Sequence, residues 1–285
     1  MRAERAYHRP ASLAQALRLL AAEAEGARCI AGGTEVMLQL RQGRRPAPAA
    51  LISLRSLPEL RGIEIGEAIR IGAGVTVAEL IEDERLGTLF PCLKEAARSL
   101  GSAQIRNAAT VGGNLANASP CADLAPPLLV LDARVAIASA ASVRELPLSD
   151  FFVAPGQTRL EAGEILTGIL LKPPAPELRS GFLRQGRVRM DLALASLACA
   201  LELRDGVCAN VRLAAGSVGP IPLRLRATEE LLEGRALQDE RIERAARRAM
   251  TECAPISDVR TSKEYRGTLV RVFTTRLLRA LRPPQ

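Results

Sequence analysis

Asp205-Gly206 stands between two runs of alternating apolar residues: Leu197, Cys199, Leu201 and Leu203 before it, Val207, Ala209, Val211 and Leu213 after it. An Asp-Gly pair flanked in this way is the strongest short-range signal for a β-hairpin. A strand with this alternation is apolar on one face, and that face has to be covered. Helical patterns follow at 223–233, closed by Gly234, then at 240–252 and 261–281, the last with Leu269, Phe273 and Leu277 on one side. The end of the chain reads as an antiparallel sheet backed by helices, an α+β arrangement.

Upstream, strand and helix signals take turns. Pro10 and a Ser12-x-x-Gln15 capping box precede Leu13, Leu17 and Leu20, which predicts a helix over 11–22. Cys29-Ile30-Ala31 reads as a strand, followed by Gly32-Gly33-Thr34 and a helical pattern ending near Gly43; 51–54 is a further strand. Ile63, Ile65, Ile69, Ile71, Val75 and Val77 alternate across Gly66-Glu67 and predict a hairpin, and Thr76-x-x-Glu79 opens a short helix. Residues 91–101 read as a helix stopped by Gly101. The segment 102–131, rich in Asn, Ser, Gly and Pro, predicts an ordered, exposed loop system feeding a helix near 128–131; 133–138 returns as a strand. Lys172-Pro173-Pro174-Ala175-Pro176 is a stiff, extended joint and places the main boundary. The expected division is 1–57, 58–175 and 176–285.

Composition excludes several function classes. The chain has 285 residues, 48% hydrophobic and 25% charged, ordinary globular usage. The longest uncharged apolar stretch, 192–201, is half of the roughly 20 residues that cross a bilayer, so no membrane span is expected. Glu4, Glu23 and Glu25 interrupt the N-terminal region, no signal peptide is expected, and the chain is read as cytoplasmic. Six cysteines lie scattered without a close pair and read as buried small hydrophobes, while His8 is the only histidine and reads as a surface residue of the entry loop. A zinc site, a resident iron–sulfur cluster and Ser-His-Asp chemistry are therefore not expected. The net charge of +8 is spread along the sequence, and no Trp, two Tyr and five Phe leave little to stack on bases, so nucleic acid is not the expected partner.

Two double-glycine turns remain: Ala31-Gly32-Gly33-Thr34-Glu35 and Thr110-Val111-Gly112-Gly113-Asn114. Glycine lets a ligand approach bare backbone, and successive amides in such a turn make an anion-binding concavity, so a pyrophosphate bridged between the two is chemically sensible. Gly72-x-Gly74 lacks the third glycine of a dinucleotide fingerprint and lies in an alternating pattern; it is not read as a nucleotide site.

Taken in order, Tyr7-x-Arg9-Pro10-x-Ser12-Leu13, Ala31-Gly32-Gly33-Thr34, Ile71-Gly72-Ala73-Gly74-Val75-Thr76, the run from Gln104-Ile105-Arg106-Asn107 through Thr110-Val111-Gly112-Gly113-Asn114-Leu115-x-Asn117-Ala118-Ser119-Pro120 to Asp123-Leu124, and Arg187-x-x-x-Asp191-Leu192-Ala193 make a sharper pattern. It resembles the FAD-binding medium subunit of the molybdenum hydroxylases, the family of carbon monoxide dehydrogenase and of the flavin domain of xanthine dehydrogenase. Ser257-Asp258-Val259-Arg260-x-Ser262-x-Glu264-Tyr265-Arg266 looks like that family's C-terminal domain.

The resemblance implies a two-subdomain FAD-binding fold of the PCMH type followed by the C-terminal α+β domain, with FAD held noncovalently. By position it implies that the backbones of Gly32, Gly33, Gly112 and Gly113, with Ala31, Thr34, Glu35 and Thr110, hold the pyrophosphate. Asn114 and Asn117 would hydrogen-bond the cofactor or brace its loop, Asp123 would approach the ribityl or isoalloxazine portion, and Arg184 would place a cation near the flavin. Leu100 stands where the xanthine enzyme has an aromatic, which makes ring contacts aliphatic; Arg187 and Asp191 read as a structural ion pair. The implied role is electron transfer from a partner's two-iron, two-sulfur cluster to an external acceptor, in a hetero-oligomer with a large molybdopterin-binding subunit and a small iron–sulfur subunit. An assembly homologue that has lost FAD, and a stand-alone flavin oxidoreductase, are the alternatives. The benzoyl-CoA reductase type is disfavoured by length and cysteine spacing.

Overall fold

In the computed structural model, residues 6–23, 26–43 and 46–282 are described, and Glu4 and Glu25 lie outside them. The chain opens with β1 (Ala6–His8), α1 (Leu13–Ala22), β2 (Ala27–Ile30), α2 (Val36–Arg41) and β3 (Ala50–Ser53). Ser12 caps α1, its hydroxyl accepting from the Gln15 amide at 3.2 Å, but the reciprocal half of the expected capping box is displaced by one residue, the Gln15 side chain accepting from Ala11 at 2.8 Å. Ala16, Leu17 and Leu20 are then turned into the core. β3 lies between β1 and β2, parallel to both, and is buried at all four positions, the reason 51–54 carries no alternation. His8 is therefore half-buried at the end of a strand, with Nε2 3.6 Å from Glu23, and does not belong to an entry loop.

A five-stranded antiparallel sheet follows. β4 (Ile63–Ile65) and β5 (Ile69–Gly72) form the expected hairpin, but the pattern through Val75 and Val77 is not strand. Thr76 caps α3 (Val77–Glu82), with Glu79 completing the capping box, and the cap overrides the alternation. Gly72 serves packing, because a Cβ there would lie 2.3 Å from the Leu60 carbonyl oxygen. α4 (Glu84–Leu89) and α5 (Pro91–Ser99) lead to Gly101, at φ +49°. The exposed loop expected from 102 onward holds two short helices, α6 (Ala103–Ala108) and α7 (Val111–Ala116), before the helix expected near 128–131, which is α8 (Ala125–Val130), and 122–131 is buried throughout. Ser102 and Thr110 are N-caps and Pro126-Pro127 sits in the first turn of α8, so the residues that read as loop formers are helix starts. Helices of six residues are too short to show a 3.6-residue period. The subdomain closes with β6 (Arg134–Ala138), β7 (Val143–Pro147), α9 (Leu148–Phe151), the small β8 (Phe152–Ala154) and β9 (Gln157–Thr158) pair, and β10 (Ile165–Leu171), which inserts between β5 and β6.

β11 (Leu178–Gln185), β12 (Ala195–Arg204), β13 (Val207–Gly216) and β14 (Leu223–Arg224) form the C-terminal antiparallel sheet, covered by α10 (Arg226–Leu232), α11 (Asp239–Glu252) and α12 (Lys263–Leu281). The β12–β13 turn places Asp205 at φ +51° and Gly206 at φ +78°, the two positive values a two-residue turn needs to match strand twist. Leu197, Cys199, Leu201 and Leu213 pack with Leu269, Phe273 and Leu277 on the helix side. The other face of the sheet gives Ala198, Ala200, Ala214 and Phe182 to the core of the preceding sheet. Cys92, Cys199 and Cys208 are buried and Cys29, Cys121 and Cys253 half-buried, all as free thiols. Burial pushes the Cys92 thiol up to about 12.

Arg266 of α12, 3% exposed, donates to the carbonyls of Leu194 and Ser217 and pairs with Asp258 at 3.0 Å, pinning the segments before β12 and after β13 to one helix. Arg266→Met leaves those carbonyls and the carboxylate without their donor and is expected to lower unfolding free energy by about 3–5 kcal/mol. Urea denaturation measures this; a loss below about 1 kcal/mol would show that the contacts are not needed.

Candidate functional site

The first glycine turn leaves the edge of the parallel sheet where β2 ends. Gly33 holds φ +71°, and the amides of Gly32, Gly33, Thr34 and Glu35 donate to no acceptor among the described residues. Glu35 precedes α2 without a side-chain cap. A Cβ on Gly32 would lie 1.9 Å from the Ala108 carbonyl oxygen and 3.0 Å from Ala109 Cα, so this turn lies directly on the end of α6. The two glycine turns, 80 residues apart in sequence, are thereby brought together.

The second turn is built differently. The amides of Val111 and Gly112 donate to Val75 and Ala73 carbonyls, both at 2.9 Å, and that of Gly113 donates to Thr110 Oγ1 at 3.1 Å. A Cβ on Gly112 would meet Ala73 at 2.6 Å, whereas Gly113 is exposed. The amide protons of Val111, Gly112 and Gly113 are thus engaged inside the protein, and the Thr110 hydroxyl serves as an acceptor while keeping its own proton to give. What the second turn offers a ligand is the open face of Gly113 and the side chains behind it. Asn114 Oδ1 is buried without a hydrogen-bond partner, and a buried orphan acceptor signals a donor from outside the chain.

Asn117 Oδ1 accepts from Gln39 Nε2 at 3.1 Å; the same nitrogen donates to Glu35 Oε1 at 3.1 Å, while Gln39 Oε1 accepts from Arg28 at 2.8 Å. Gln39 was not among the residues expected at the site. Nothing in the run Val36-Met37-Leu38-Gln39-Leu40 marks its polar residue as the buried one; the structure buries Gln39 and leaves Met37 and Leu38 exposed.

Asp123 and Arg184 form an ion pair at 2.8 Å, with side chains 8% and 7% exposed, and Arg184 also donates to the Asp191 carbonyl. The expected cation is thus matched by the expected carboxylate. Arg184 borders a cavity of about 520 Å³ lined also by Glu95, Arg98, Gly101, Arg187 and Arg189. Glu95 accepts from the Phe182 amide at 2.7 Å, which fixes β11 two residues before Arg184, and burial raises its carboxyl. Arg187 and Asp191 pair at 2.7 Å, the structural contact expected of them.

Residues 2–174 match the family model described as the FAD binding domain in molybdopterin dehydrogenase, and 182–281 match the CO dehydrogenase flavoprotein C-terminal domain. The chain belongs to this family of FAD-binding oxidoreductase subunits. It is 36% identical to the xanthine dehydrogenase FAD-binding subunit of Escherichia coli O157:H7 over 95% of this chain and 94% of that one. Identity to the carbon monoxide dehydrogenase medium chain of Afipia carboxidovorans is 32%, over 95% and 94%. A solved structure of carbon monoxide dehydrogenase from Hydrogenophaga pseudoflava superposes with a TM-score of 0.94 at 29% identity, covering 99% of this chain and 100% of that one. The quinoline 2-oxidoreductase of Pseudomonas putida 86 gives 0.91 at 30% identity, covering 98% and 96%. The residues present fit the family's cofactor: unpaired amides suit a charged phosphate, and Asn114 lacks only a donor.

Gly32→Ala drives a methyl into the Ala108 backbone and is expected to part the two turns, lowering stability by about 1–3 kcal/mol and FAD affinity at least tenfold. Calorimetry and FAD titration measure the two effects, and wild-type affinity would sink the shared-site geometry. Burial pushes the Asp123 carboxyl up to about 6 from 3.8, against the pull of Arg184. Between those values the folded state holds a proton the unfolded state has released, so this group's contribution to stability falls as pH rises from about 4 to about 6 and is level above 7. The stability difference between wild type and Asp123→Asn is expected to change with pH only across that window and to stay constant above it, as melting at a series of pH values measures.

Proposed function

We propose that this chain holds FAD noncovalently across the two glycine turns and relays electrons from a partner iron–sulfur subunit to an external acceptor. The single observation that carries the reading is the contact of Gly32 with Ala108, which sets the unpaired amides of 32–35 beside the open face of Gly113. In this reading Gly32, Gly33, Thr34 and Glu35 bind the pyrophosphate through their amides, and Ala31 and Gly113 bound the space. Asn114 accepts from the cofactor and Asn117 donates to it. Asp123 and Arg184 present a matched charge pair toward the flavin end, where Arg98, Arg187 and Arg189 favour a negatively charged acceptor. Bound there, FAD would supply reversible electron uptake.

The partners in this reading are a large molybdopterin-binding subunit and a small two-iron, two-sulfur subunit. Relatives named as medium chains support such a complex, as do Val188, Met190, Leu192, Ile256 and Val259, each exposed on one of the two segments that Arg266 ties together through Leu194 and Asp258. Residues 1–57, 58–175 and 176–285 are the three domains of this reading. Among the described residues no helix is long and apolar enough to cross a membrane, and the proposed compartment is the cytoplasm.

Co-expression with the molybdopterin and iron–sulfur subunits of the same genome is expected to give a stable complex whose flavin is released by acid precipitation. Flavin retained in the pellet, or substrate-dependent dye reduction by the isolated chain at the rate of the complex, contradicts the proposal.

A further inference from the structure

Gln39 joins the two halves of the site through one buried amide, and the direction of every hydrogen bond it makes is set by Arg28. A guanidinium only donates, so the Gln39 atom 2.8 Å from Arg28 Nη2 is the oxygen, and the amide nitrogen faces the other way. That nitrogen carries two protons, and two acceptors meet it at 3.1 Å: Glu35 Oε1 and Asn117 Oδ1. Asn117 is consequently held with its oxygen toward Gln39 and its own nitrogen turned away, and no described residue accepts from that nitrogen. With Gln39 only 8% exposed, reversing its amide would set its nitrogen against the Arg28 guanidinium and its oxygen against the oxygens of Glu35 and Asn117.

We infer that Gln39 is a positioning residue for the cofactor: it relays the polarity of Arg28 to Asn117, so that Asn117 presents N–H donors to FAD while neighbouring Asn114 presents an acceptor. This rests on the reading that Asn117 contacts FAD. The pair then offers one group of each kind, and the choice of which asparagine donates is made on α2 and β2, outside the second turn altogether.

Gln39→Glu tests the relay because it keeps shape and removes the donor. The new carboxylate still pairs with Arg28 but cannot donate to Asn117, which turns its nitrogen inward and shows its oxygen to the ligand. FAD titration of the full-length apo chain is expected to show affinity lowered tenfold or more in Gln39→Glu and less in Gln39→Leu, which releases the orientation without inverting it. Circular dichroism of the apo proteins is expected to stay as in wild type while melting falls in both variants, because Gln39→Glu sets a carboxylate against Glu35 and Gln39→Leu leaves Arg28, Glu35 and Asn117 without their partner. In an Asn117→Ala background the Gln39→Glu change is expected to have no further effect, since the group it orients is gone. Wild-type affinity in Gln39→Glu, or an equal loss with and without Asn117, overturns the relay. If Gln39→Glu does not fold, Gln39→Leu with and without Asn117→Ala gives the same decision. A wild-type chain that binds no FAD overturns the cofactor reading, and the relay with it; binding by wild type with indifferent variants overturns the relay alone.

Discussion

Two opposite charges buried together, Asp123 and Arg184, set the geometry around the site. Either alone in that position would carry a desolvation penalty of several kcal/mol, so the segment entering α8 and the end of β11 are stable only when they meet. At the far end of the same helix an exposed carboxylate makes further links: Asp132, just past α8, pairs with Arg212 of β13 and Arg224 of β14, both at 2.8 Å. A wholly buried helix is thus held at both ends by arginines of the C-terminal sheet. That sheet cannot slide over the second subdomain without uncovering a charge, and the cavity beside Arg184 inherits its shape from this constraint.

The two glycine turns look alike in sequence and are put to different uses. In the first, glycine supplies positive φ at Gly33 and a bare flank at Gly32, and the amides remain available. In the second, the amides are consumed by Val75, Ala73 and Thr110, and Gly112 is needed because α7 starts against the Ala73 backbone. The site is therefore lopsided: backbone donors come from one side and side-chain groups from the other. Gln39 connects the sides because a single amide can receive from Arg28 and give to Glu35 and Asn117 together.

Much of the fold was legible because local chemistry and tertiary packing agree. Asp205-Gly206 forces its hairpin, Ser12 and Thr76 start helices where they stand, and Leu269, Phe273 and Leu277 fall on the buried side of α12. The failures share a cause. Around Val75 and over 102–131, caps at Thr76, Ser102 and Thr110 end one kind of structure and start another within a few residues, faster than any periodicity can register.

The sequence by itself determined the hairpins, the helices capped by Ser12 and Thr76, the glycine turns and the family pattern, since each depends on residues close along the chain. Only the tertiary structure decided which glycine amides remain unpaired, that Arg184 is matched by Asp123, and that Gln39 faces Asn117. Those outcomes depend on partners 39, 61 and 78 residues away, the first being Gly112 with Ala73, and a hydrogen bond is specified by where its partner lies in space rather than by spacing along the chain.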